Sequence, residues 1–230
     1  MNKLLSTSQL NKLGERLRKG PVSQDDLHAL EQFRLSFGPA AERVSGQLTS
    51  LGLNPVSRPA KSTDSIIAKL NRERTRLSKI QDIAGCRVEV DNIVDQERAL
   101  KDILGLFPNA IVQDRRVKPS HGYRAVHLIV NIDGFLVEIQ VRTSLQHGWA
   151  SAVETIADTI DAEIKYGGGP FMIQDIFGKS SNNIAQFERL ELQLLQTDQA
   201  PEELRAQLLK LKSELQDLLR AIIISARTAG

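Results

Sequence analysis

The clearest regularity in the chain is an alternation of apolar and polar positions on either side of Asp133-Gly134. From Val126 to Ile132, and again from Phe135 to Val141, every second residue is apolar. A period of two predicts strands, and Asp-Gly between two such runs predicts a two-residue type I′ hairpin. With that turn, Ile132 pairs with Phe135, Ile129 with Glu138, His127 with Gln140 and Ala125 with Arg142. Opposed residues point to one side of a sheet. One face then carries Val126, Leu128, Val130, Ile132, Phe135, Val137, Ile139 and Val141. The other carries Tyr123, His127, Glu138, Gln140 and Arg142, and an amphipathic hairpin is expected to keep that face solvated. A slip of one residue would mix the two sets, so the pattern itself fixes the register.

Elsewhere the period is helical. Residues 7–19 predict a short charged helix stopped at Gly20-Pro21. Ser23 and Asp26 open a second helix with Leu27, Leu30 and Phe33 inward, and Phe37-Gly38-Pro39 divides it. Ala41, Val44, Leu48 and Leu51 carry the apolar stripe on to Gly52. The segment NPVSRPAKSTD reads as irregular and leads into a helix through Ser65–Leu70. Residues 81–90 predict a turn entering a strand, 94–107 a helix stopped by Pro108, and 110–117 a strand. Thr143 and Gln146 form a capping box for a helix with Leu145, Trp149, Val153, Ile156 and Ile160 inward. His147, Ser151 and Glu154 fall on another face. Gly167-Gly168-Gly169-Pro170 ends that helix. Two further helical patterns cover 180–196 and 201–226. In the second, Leu204, Leu208, Leu211, Leu215, Leu218 and Ile222 form a stripe that packs on the domain, a neighbouring helix or a second chain.

Composition narrows the class. The chain has 230 residues, 41% hydrophobic and 25% charged, which suits one core with helical extensions. A net charge of +2 gives no global field for non-specific nucleic-acid binding. The lone Cys86 excludes an internal disulfide and a Cys-rich zinc site, and fits a reducing cytoplasmic setting. No run is long and apolar enough to span a membrane.

The polar face of the hairpin changes the picture. An aromatic, a His, a carboxylate, an amide and an Arg form a set able to bind a base, a hydroxyl and phosphates. Arg58, Lys61, Lys69 and Arg72 cluster upstream, and Asp82 stands at a strand entrance. Each also has an ordinary role available: a solvated basic face, or a cap.

Four motifs in order, DIAGCRV at 82–88, GYRAVHL at 122–128, EIQVRT at 138–143 and HGWA at 147–150, resemble the RelA/SpoT-type alarmone synthetases. The likeness runs over about residues 55–155. It looks most like the small single-domain members, and among them the toxic subgroup that acts with antitoxins or in phage defence. The resemblance implies an α+β fold: a nucleotidyltransferase-like mixed sheet flanked by helices. Residues 1–52 would be N-terminal helices, 53–166 the synthetase core and 167–230 a C-terminal helical extension.

It also implies roles. The family moves pyrophosphate from ATP to a ribose 3′-hydroxyl, usually of GDP or GTP, and in many toxic members of the 3′ end of tRNA. Asp82 would hold Mg²⁺, and Glu138 would share the metal or take the hydroxyl proton. Arg58 and Arg87 would sandwich the adenine, while Lys61, Lys69 and Arg72 would bind the ATP phosphates. Tyr123 would stack on the acceptor base, with Lys118, His127, Gln140, Arg142 and His147 on the acceptor side. His147 stands where many members have Asn. The Arg58–Lys61 and Lys118–Tyr123 spacings are each one residue longer than is common.

Phosphoryl transfer needs positioning, cations and a divalent metal, and two carboxylates suffice to hold Mg²⁺. None of His28, His121, His127 and His147 is followed by Asp, so no hydrolase activity is expected. A guanosine acceptor is the first reading and a tRNA end the second. A non-catalytic nucleotide-binding module is the third. The resemblance also implies a homo-oligomer, since many small synthetases assemble, and the subgroup likeness implies an antitoxin partner.

Overall fold

The computed structural model describes residues 5–58, 60–197 and 201–229, the last three by backbone alone. Three helices come first: α1 (Thr7–Lys19), α2 (Gln24–Leu35) and α3 (Gly38–Ser50). Ser6 and Gln9 cap α1 reciprocally, and Ser23 Oγ accepts from the Asp26 N–H at 3.1 Å to start α2. Pro39 lies in the first turn of α3, where its missing N–H costs no helical bond, so the Phe37–Pro39 break separates two helices. Leu51 is 37% exposed rather than inward, because α3 has already ended at Ser50.

The strand β1 (Pro55–Arg58) occupies part of the segment that the sequence leaves irregular. It lies at a sheet edge, where a proline removes no ladder bond. Next come α4 (Thr63–Glu73), β2 (Ala84–Val90), α5 (Ile93–Leu106) and β3 (Ile111–Asp114). The last is shorter than the expected 110–117. The hairpin strands are β4 (Val126–Ile132) and β5 (Phe135–Thr143), and both turn residues have positive φ, 52° at Asp133 and 90° at Gly134. That is the type I′ requirement, met by the residue types that tolerate it. The result is a five-stranded mixed sheet of order β1-β2-β5-β4-β3.

Helix α6 (Ser144–Thr159) opens with the complete Thr143–Gln146 capping box. It ends before a 3₁₀ turn at Ala162–Tyr166, so Ile160 lies beyond it and is exposed. Helix α7 (Phe171–Leu195) starts nine residues before the expected 180, and α8 (Glu202–Ala229) completes the chain. No described helix is long and apolar enough to cross a membrane.

The chain divides into two units. Unit 1 comprises Met1–Arg87, Phe107–Ile111 and Leu128–Gln140. Its core includes Leu13, Leu30, Val44, Leu48, Ile66 and Leu70. Phe37 packs edge-on against both Phe33 and Phe135, with centroids 5.2 and 5.1 Å away. Unit 2 comprises Val88–Leu106, Val112–His127 and Val141–Gly230. Its core is built from Leu145, Trp149 and Val153 of α6, Phe177 and Ile184 of α7, and Leu219 of α8. The leucine stripe of α8 splits. Leu208, Leu215 and Ile222 pack against this cluster, whereas Leu204, Leu211 and Leu218 are exposed. The two sets are interleaved series of seven-residue steps set about 40° apart around the helix, and only one of them faces the cluster.

Candidate active site

In unit 1 a carboxylate is clamped between two lysines. The Lys61 N–H donates to the Ile83 carbonyl at 2.7 Å, which fixes the Lys61 stem beside Asp82. Lys69 arrives from α4, which is anchored by the buried Ile66 and Leu70. Lys61 Nζ donates to Asp82 Oδ2 and Lys69 Nζ to Asp82 Oδ1, each at 2.9 Å. Burial pushes the Asp82 carboxyl up, but the two ammonium groups outweigh it and bring it down to about 2. Asp82 is therefore ionised at neutral pH.

Strand β5 supplies the second carboxylate of this unit. Gln140 Nε2 donates to Glu138 Oε2 at 2.5 Å, and an Arg58 Nη1 on β1 stands 3.6 Å from the same oxygen. Residues 138 and 140 share a face because strand side chains alternate. A Cβ at Gly85 would come 2.3 Å from the Glu138 carbonyl oxygen, so glycine is what lets β2 lie this close to β5. Arg72 Nη2 donates to Glu73 at 3.3 Å, and Arg87 is half-buried on β2. Of the eight candidate residues in this unit, the contacts unite Lys61 and Lys69 with Asp82, and Arg58 and Gln140 with Glu138.

Unit 2 holds the remaining candidates. Arg142 Nη2 and Nε donate to Tyr123 Oη at 2.9 and 3.2 Å, and the same hydroxyl lies 2.8 Å from His127 Nε2. A guanidinium can only donate, so the Tyr123 hydroxyl accepts from Arg142, and the direction of its bond with His127 Nε2 follows the imidazole tautomer. The Arg142 guanidinium carbon also lies 4.9 Å from the Tyr123 ring centroid. His147 Nε2 lies 3.5 Å from Glu89 Oε2, and Lys118 is exposed on the loop before β4.

The hairpin's polar face is not solvated. Glu138, Gln140 and Arg142 are 7%, 6% and 3% exposed. Polar groups tolerate burial when they satisfy one another, as Gln140 does Glu138 and Tyr123 does Arg142.

Sequence reasoning missed several neighbours. A cavity of about 150 Å³ on Tyr123 is also lined by His121, Glu154, Lys165 and Tyr166. Glu154 was legible only as a residue seven positions after His147 on one helix face. Lys165 and Tyr166 come from the 3₁₀ turn, which carries no periodic signal.

The donor chemistry fits a hard cation. Asp82 is ionised and partly accessible, and Glu138 offers a second carboxylate in the same unit. No group of three or more His, Cys, Asp or Glu able to hold a metal occurs among the described residues. Two carboxylates completed by substrate phosphate and water are a magnesium-type arrangement rather than a zinc-type one.

Comparison with known proteins identifies this part of the chain. Residues 58–166 match the model for the region found in RelA/SpoT proteins. The chain thus carries a RelA/SpoT region. All the candidates lie within it. An uncharacterised protein of Mycobacterium tuberculosis is 34% identical over 173 residues, covering 72% of this chain and 63% of its own length. The chain thus spans less than two thirds of that relative. A probable chloroplastic GTP diphosphokinase of Arabidopsis thaliana is 32% identical over 114 residues, 47% of this chain and 16% of its own. The fold of the RelA/SpoT region recurs in small alarmone synthetase 1 from Bacillus subtilis, solved with its product pppGpp. The TM-score is 0.56 at 22% identity, over 71% of this chain and 95% of that one.

Proposed function

We propose that the chain is a pyrophosphokinase that uses ATP and a guanosine nucleotide, GDP or GTP. The observation that carries this reading is the Lys61–Asp82–Lys69 clamp, in the unit that also holds the Glu138–Arg58 pair. It combines an anionic metal ligand with cations able to turn from carboxylate to phosphate. The 3′-oxygen of the acceptor attacks the β-phosphorus of ATP, the α–β bridging bond breaks, and AMP leaves. Glu138 accepts the hydroxyl proton, and Gln140 orients its carboxylate. Asp82 and Glu138 would hold Mg²⁺, which when bound neutralises phosphate charge as a Lewis acid. Lys61, Lys69 and Arg72 bind the ATP phosphates, and Arg58 and Arg87 take the adenine. Positioning and charge neutralisation are the main catalytic demands of such a transfer.

On the acceptor side, Tyr123 stacks on the base, with Arg142 and His127 holding its hydroxyl edge. Lys118 and His147 complete the acceptor set. The cavity on Tyr123 has room for one flat base, and Glu154 stands in its wall. Guanine presents two adjacent donors on its Watson–Crick edge, whereas adenine presents a donor and an acceptor. A carboxylate accepts from both guanine donors and meets a lone pair on adenine. This supports GDP or GTP over the adenosine end of tRNA. The basic loop at Arg115, Arg116, Lys118 and Arg124 is what favours the tRNA reading. Arg116, however, is already neutralised by Asp114 and Glu97.

Initial rates with GDP, GTP, ADP and deacylated tRNA at equal concentration test the acceptor. Guanosine nucleotides are expected to react fastest, and Glu154→Gln to narrow the gap to ADP. A reaction with tRNA alone would replace the acceptor while keeping the donor half.

A further inference from the structure

Unit 2 also holds a cavity of about 660 Å³ between α7 and the loop before β4. None of the site residues proposed above lines it. Its size is that of a small-molecule pocket, and Ile93 and Leu192 give it an apolar wall.

Its charge is distinctive. Arg124 enters from the loop, half-buried, and its three donated bonds all go to neutral acceptors. They run to Ser181 Oγ at 3.0 Å, Asn182 Oδ1 at 3.1 Å and the Arg116 carbonyl at 2.6 Å. Arg189 stands on α7 with Asn182 and Gln186, at spacings of seven and three, so the three side chains form one stripe. No ion pair joins Arg189 to a carboxylate among the described residues. Two carboxylates also line the cavity, and both are committed. Asp114 binds Arg116, while Glu188 is buried and accepts from Thr143 and Gln146. Burial pushes the Arg124 guanidinium down, Glu188 acts the other way, and Arg189 adds to the lowering. Two like charges thus share one concave wall, and neither forms an ion pair among the described residues.

We infer that this cavity is a binding site for a phosphorylated small molecule of nucleotide size. Its phosphates would bridge Arg124 and Arg189, and its organic part would lie on the Ile93–Leu192 wall. A phosphate accepts from guanidinium and amide donors together, and Gln186 and Asn182 bring amides to the same wall. A concave pocket of this size suits a compact ligand better than an extended RNA strand, which needs a long basic track.

The test is calorimetric titration of the full chain with inorganic tripolyphosphate and, separately, with GDP. Lys69→Met weakens the proposed donor half, and Arg189→Glu alters an exposed side chain with no ion-pair partner among the described residues. Saturable tripolyphosphate binding should survive Lys69→Met and weaken at least tenfold in Arg189→Glu. GDP should show a second, Arg189-dependent binding event. Arg189→Gln should weaken binding less than Arg189→Glu and serves if the charge reversal disturbs folding. Binding unchanged in both Arg189 variants, or absent at millimolar ligand, overturns the site. Arg189-dependent retention of an RNA hairpin without saturable tripolyphosphate binding overturns the small-ligand reading. Failure of catalysis in the same preparation bears only on the proposed function.

Discussion

Lys69 Nζ sits 2.9 Å from Asp82 Oδ1, and Lys61 holds the carboxylate's other oxygen at the same distance. This clamp does two things. It keeps Asp82 ionised despite burial, and it stores two cations where ATP phosphates are proposed to bind. Asp82→Asn should lower turnover by on the order of a hundredfold or more, because it removes a charge that acts in the transition state. Lys69→Met should instead raise KM for ATP about tenfold, since charge-assisted bonds are worth roughly 1.5–3 kcal/mol. Steady-state kinetics on the two variants separate these effects. Wild-type turnover in Asp82→Asn would remove Asp82 from the mechanism.

Gly85→Ala tests how β2 meets β5. The added methyl would lie 2.3 Å from the Glu138 carbonyl oxygen, which belongs to the backbone and cannot swing aside. A cost of about 1–3 kcal/mol is expected from such overpacking. Urea unfolding should show a lower midpoint, and turnover should fall with it as Glu138 shifts. An unchanged midpoint would mean that the two strands separate freely.

Tyr123 divides its hydroxyl from its ring. Tyr123→Phe removes one acceptor of the buried Arg142, at a cost of about 1–3 kcal/mol in stability. Tyr123→Ala also removes the stack and should weaken the acceptor by roughly 1–3 kcal/mol. KM for ATP should hold steady in both. A rise in KM for ATP equal to that for the acceptor would contradict the division of labour.

Glu188 supplies a pH signature away from the chemistry. Burial pushes its carboxyl above the ordinary 4.5, and bonds from Thr143 and Gln146 only partly oppose this. A carboxyl raised in the folded state favours folding below its unfolded value, and that contribution fades as pH rises through the folded value. Glu188→Gln should therefore stabilise the protein at neutral pH, with the two melting curves converging below about pH 4.5. A variant less stable at neutral pH would show that the charge itself is needed.

Much of this was legible in the chain. The hairpin, its register and its turn followed from alternation and Asp133-Gly134, and the Thr143–Gln146 cap from residue type alone. What escaped lacked local periodicity. Strand β1 is short and starts with a proline, and its place depends on a neighbour distant in sequence. The first turns of α7 expose Phe171, Met172 and Ile176, so no amphipathic stripe announces them. The α8 stripe is real in composition, but which edge packs is decided by tertiary contact. At the site, residue types pointed to Asp82 and Glu138, yet pairing is three-dimensional. Nothing in sequence order links Lys61 to Asp82, Gln140 to Glu138 or Glu154 to Tyr123.

The fate of the ATP β-phosphorus tests the central claim most directly. The purified chain is incubated with β-labelled ATP, Mg²⁺ and GDP or GTP, and the products are separated and digested. The account predicts label in a 3′-pyrophosphorylated guanosine nucleotide with one AMP released per transfer, and transfer slowed on the order of a hundredfold or more in Asp82→Asn. Label appearing only in ADP or free phosphate, or transfer at the wild-type rate in Asp82→Asn, would contradict it.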